Sequence, residues 1–151
     1  MSAAGASALS PNPLALRMAH AGLVPFILGT LLIWLIGDRN PEAYGFAAQG
    51  LSTYAGLVVA FLGGIYWGLA FRQAVPSPLP FGWGLAPVLF GWVGTVMPPH
   101  AGLALHGMVL IVCYLVDRRL YPQLGAGAWL TLRFRLSAVA ALCCFLAAAG
   151  S

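Results

Sequence analysis

Among the side chains able to hold or move a proton, His106 stands alone within an apolar segment, with Tyr66 as the other polar group deep in one. Together they are the candidate intramembrane polar site. Such groups often mark ion, proton or substrate paths, yet a neutral histidine also bonds simply from helix to helix, and both readings stand at this stage. A metal or haem needs more ligands. His100 and His106 are six residues apart, roughly 240° around a helix, so they are not a facing i,i+4 pair, and His20 belongs to the opposite end of the fold. Cys113, Cys143 and Cys144 are an odd number inside apolar segments and are expected as buried free thiols. Asp38, Glu42 and Asp117 lie near segment ends, poor positions for a coupling-ion site at a membrane midplane. There is no HExxH, Cys-x-x-Cys, phosphate loop or serine-nucleophile motif. No catalytic residue, metal or cofactor is therefore assigned.

The cationic groups are seven arginines, without a lysine, against three acids. They are too few, and too confined to the ends of apolar runs, for a nucleic-acid partner. Arg118, Arg119, Arg133 and Arg135, with Trp129 between them, are candidate contacts for anionic lipid headgroups, or simple topological anchors. Arg133 and Arg135 are expected to snorkel outward, and Asp117 to fix Arg118 or Arg119.

These residues need elements to position them, and the composition selects the kind. Of the 151 residues, 61% are hydrophobic and 7% charged, against about 25% charged in soluble domains. Long uncharged stretches run over residues 43–71 and 73–116, and each spanning helix takes roughly 20 apolar residues. The sequence predicts an all-α integral membrane protein, a bundle of five transmembrane helices over about 18–37, 51–71, 81–97, 101–116 and 132–149. They form a single domain over 14–151, behind a disordered tail over 1–13. Pro98-Pro99 forces the third and fourth spans into a tight antiparallel hairpin, and Asp117-Arg118-Arg119 closes the fourth. Were the fifth segment only interfacial, four spans would remain.

Charge sets the direction. With the N-terminus inside, Arg17, Arg72, Arg118, Arg119, Arg133 and Arg135 face inward and only Arg39 faces outward, following the positive-inside pattern. The C-terminus is then outside.

The sharpest local pattern is in the second span. Ser52, Gly56, Ala60, Gly64 and Gly68 recur every four residues, with Gly63 beside them. They predict a smooth helix-packing or partner face, where close backbone approach supplies dispersion energy. The partner helix could belong to this chain, a second copy or another membrane protein.

The same segment, Phe61-Leu62-Gly63-Gly64-Ile65-Tyr66-Trp67-Gly68, resembles the signature of a family of small membrane proteins that includes mitochondrial transmembrane protein 69, domain of unknown function 3429. Gly22-Leu23-Val24-Pro25-Phe26, Tyr54 and the arginine-flanked last segment match it too. The resemblance implies a multi-pass protein of the bacterial inner membrane or its mitochondrial counterpart. It supplies no catalytic residues. The leading expectation is a noncatalytic accessory subunit or assembly factor acting through helix contacts. The alternatives are a small transporter or channel using His106, or a lipid or quinone enzyme with a lateral opening beside Tyr66 and His106.

Overall fold

Asparagine, serine and proline start most of the helices. A computed structural model describes residues 11–75 and 77–151, so residues 1–10 of the expected tail lie outside the described residues. The described chain is all-helical: α1 (Pro13–Ala21), α2 (Val24–Ile36), α3 (Pro41–Ala70), α4 (Pro78–Val96), α5 (Pro99–Gln123) and α6 (Leu130–Ala149). Asn12 and Asn40 cap α1 and α3. Each side-chain oxygen accepts a backbone N–H, from Ala15 at 2.7 Å and Ala43 at 3.1 Å, and each is followed by proline. Proline fits the first helical position because its missing N–H would have no partner there. α4 and α5 also begin with proline.

Five segments are long and apolar enough to cross a membrane, α1 and α2 counting as one. The first is broken where Pro25 removes a backbone donor. At the break Tyr54 Oη donates to the Gly22 carbonyl at 2.8 Å, and the Phe26 and Tyr54 rings meet edge-on at 5.2 Å. Gly37, with φ of 47°, ends α2 in a backbone conformation that a side chain would strain. α3 starts ten residues earlier than expected and, at 30 residues, is roughly 45 Å long. That exceeds the ~30 Å hydrocarbon layer, so α3 tilts or projects beyond it. α5 runs on past Asp117-Arg118-Arg119 to Gln123, where the charges were expected to end it.

α3 is the central element, packed on α2, α4 and α5, while α6 packs on α5 and α2. Only Met97 and Pro98 join α4 to α5, and those two helices pack as the expected hairpin. α6 runs alongside α2 in the same direction. Thr30 Oγ1 donates to Cys143 O at 3.1 Å, Trp34 Nε1 to Leu146 O at 3.0 Å and Tyr44 Oη to Gly150 O at 2.5 Å. These donors tie the C-terminal half of α6 to α2 and to the start of α3, the Thr30 and Trp34 bonds adding a second donor to carbonyls the helix ladder already uses. Large apolar side chains such as Leu35, Phe61, Trp92 and Leu142 point outward, as lipid contact requires.

Candidate functional sites in the bundle

Close backbone packing between α3 and α4 builds the first polar site. A Cβ on Gly63 would collide with the Gly84 carbonyl, and one on Gly91 would stand 2.7 Å from the Gly56 oxygen. Ser52, Gly56 and Gly63 are buried in this contact, where Ser52 Oγ reaches Gly94 O at 3.5 Å. Gly64 and Gly68 instead face outward, with nothing among the described residues within 4 Å of a Cβ there; Ala60 is half-buried. The six candidate packing residues thus divide between two faces. Each step of four residues turns about 40° beyond a full turn, so the row drifts around the helix. A face built from steps of four and three, Ser52-Gly56-Val59-Gly63-Tyr66, stays on one side, and all five are buried.

His106 is sealed against this α3–α4 contact, with no exposed surface. Its Nε2 lies 3.1 Å from the Gly91 carbonyl, and because a carbonyl only accepts, Nε2 is the nitrogen that carries hydrogen. Thr95 Oγ1 donates to the same oxygen at 2.8 Å. Gly94 lies so close to the imidazole that a Cβ there would overlap the ring. Nδ1 has no partner among the described residues. The site ties α5 to α4. It has no side-chain acid or base beside it among the contacts described.

Tyr66 lies elsewhere. It is ten residues along α3 from Gly56, roughly 15 Å, and donates its hydroxyl hydrogen to Asp117 Oδ1. Asp117 does not pair with Arg118 or Arg119, and Arg133 does not snorkel. Both expectations give way to a buried ion pair in which Arg133 Nε donates to Asp117 Oδ2 at 2.9 Å. Arg133 Nη2 approaches the same oxygen to 2.7 Å, but without an aligned N–H, so it adds charge attraction and no hydrogen bond. The two side chains are 7% and 1% exposed. Arg133 therefore leaves the set of candidate headgroup contacts, while Arg118, Arg119 and Arg135 are exposed. The buried Tyr121 ring packs on Tyr66 at 5.7 Å and closes the cluster.

A cleft of about 560 Å³ opens between α1, α3 and α6. Its walls are apolar, among them Met18, Phe61, Leu62 and Leu136, and Leu110 of α5 is at its floor. Arg133 and Ser137 also line it. The cleft is thus next to the Tyr66 cluster and not beside His106. Sequence reasoning missed it. Cys113, Cys143 and Cys144 are buried free thiols, and no three His, Cys, Asp or Glu side chains converge among the described residues.

The geometry also joins the scattered motifs: Tyr54 meets the Gly22–Phe26 segment directly. Comparison with known proteins agrees with the resemblance these motifs carried. The family described as protein of unknown function (DUF3429) matches residues 11–149. Transmembrane protein 69 of Xenopus tropicalis is 38% identical over 69 residues, which cover 45% of this chain and 25% of that protein. Transmembrane protein 69 of Mus musculus is 28% identical over 104 residues, covering 67% and 40%. The chain thus spans between a quarter and two-fifths of the curated relatives it matches. No solved structure matches it.

Proposed function

The chain belongs to the DUF3429 family of membrane proteins, and we propose that it is noncatalytic, engaging a helix of another membrane protein as an accessory subunit or assembly factor. The observation that supports this is the outward-facing pair Gly64 and Gly68. Glycine weakens a helix by about 1 kcal/mol relative to alanine. At Gly56 and Gly63 close contact with α4 offsets that cost; at Gly64 and Gly68 nothing within the described chain does. The pair has the Gly-x-x-x-Gly spacing that lets a second helix approach closely, between exposed Phe61, Trp67 and Phe71. The proposed setting is a bacterial inner membrane with the N-terminus inside, where exposed Arg118, Arg119 and Arg135 contact anionic headgroups. Transport through His106 is less favoured, because its ring is fully enclosed.

Mild detergent extraction followed by native mass spectrometry tests the reading. The wild type should carry a second, different polypeptide, and Gly64→Leu with Gly68→Leu should release it while leaving the thermal midpoint of the chain unchanged. A homodimer released by the same substitutions would replace the accessory role with self-association. A wild-type monomer, or an undisturbed complex in the double variant, would overturn the proposal.

A further inference from the structure

The cleft between α1, α3 and α6 offers a ligand more than an apolar wall. Two residues that line it hold buried polar atoms with hydrogen left to donate: Ser137 Oγ has no partner among the described residues, and Arg133 Nη2, ion-paired to Asp117 Oδ2 at 2.7 Å, carries a second N–H. Ser137 is 4% exposed and Arg133 6%. Leaving a buried donor unpaired costs about 1–3 kcal/mol, so Ser137 Oγ calls for an acceptor, to which the second N–H of Arg133 Nη2 can add. Arg133 and Ser137 are four residues apart on α6 and so lie on one face, one turn from each other. The charge of that acceptor is constrained as well. Arg133 is already neutralised by Asp117, which also accepts from Tyr66. A second anion would leave the buried cluster with net negative charge, at heavy desolvation cost. A neutral oxygen needs no such compensation. The volume falls within the ~300–1,000 Å³ of small-molecule sites, and the apolar walls suit a hydrocarbon tail.

We propose that this cleft binds a lipid whose head carries an uncharged carbonyl, accepting hydrogen bonds from Ser137 Oγ and Arg133 Nη2, with its tail between α1 and α3. The reading is independent of the Gly64 and Gly68 face. Two sources share the chemistry, an isoprenoid quinone and an acyl ester.

Native mass spectrometry of the purified full chain, titrated separately with decylubiquinone, dioleoylglycerol and oleate, separates them. Saturable one-to-one binding of decylubiquinone identifies the quinone source, and binding of dioleoylglycerol the ester source; either supports the site. Ser137→Ala should weaken the bound probe roughly fivefold, the loss of one hydrogen bond, and Ser137→Thr, which keeps the hydroxyl, should restore it. Ala19→Phe, filling the cleft from the half-buried Ala19 position on α1, should reduce binding at least tenfold. Arg133 is left intact, since its removal would strand Asp117. Equal or tighter binding of oleate, no saturable binding of either neutral probe, or a Ser137→Ala variant that binds like wild type would each overturn the proposal.

Discussion

Removing one partner of the Asp117–Arg133 pair leaves the other charged and buried, a loss of about 3–5 kcal/mol. Replacing both with apolar residues removes the desolvation cost together with the attraction. Asp117→Leu and Arg133→Met are thus each expected to lower the unfolding free energy strongly in detergent, and the double variant to recover most of the loss. Additive losses in the double-mutant cycle would mean the pair contributes no coupling. Its partner choice was not legible in the sequence. Asp117 adjoins Arg118 and Arg119, but adjacent residues point about 100° apart on a helix. Once α5 continues through all three, Asp117 faces inward and the two arginines face out. Arg133, sixteen positions on, comes into reach only through the turn around Gly125, whose φ of 75° suits glycine. His106 was legible as buried and polar. Its acceptor, a glycine carbonyl, carries no side-chain signal.

At the level of helices, neighbouring glycines predict opposite outcomes. Gly63→Leu forces a side chain against the Gly84 carbonyl of α4, and the backbone there cannot give way without separating α3 from α4. A marked fall in folded yield and thermal midpoint is expected. Gly64→Leu, aimed into open space, should leave both near wild type. Similar losses from the two substitutions would contradict the facing assigned to α3. The five apolar spans were readable because lipid demands long uncharged runs, and the third and fourth needed only minor changes at their starts. The helix starts before them were less so. Hydropathy marks where a helix enters hydrocarbon, whereas α3 begins at the Asn40-Pro41 cap, ten residues earlier. Asn12-Pro13 carries the same signal ahead of α1, so capping chemistry was present in the sequence and unused.

Five crossings place the two ends of the described bundle on opposite sides, and the parallel run of α2 and α6 fits that count. The alternation of helix direction brings Arg17, Arg72, Arg118, Arg119 and Arg135 to one end, and Arg39 with Asp38 and Glu42 to the other. An inside-negative potential of 100 mV acts on each charge moved across with about 2.3 kcal/mol, so the arginine-rich end is expected to stay on the cytoplasmic side. The native thiols are buried, which gives a quiet background for labelling. A cysteine placed at Ser151 should react with a membrane-impermeant maleimide in intact cells, and one at exposed Gln123 only after permeabilisation. The reverse pattern would invert the orientation. Labelling of both only after permeabilisation would remove a crossing, returning α6 to the interfacial alternative. That outcome would also separate α6 from the Thr30, Trp34 and Tyr44 donors of α2 and α3, so the same experiment tests whether those three contacts exist in the bilayer.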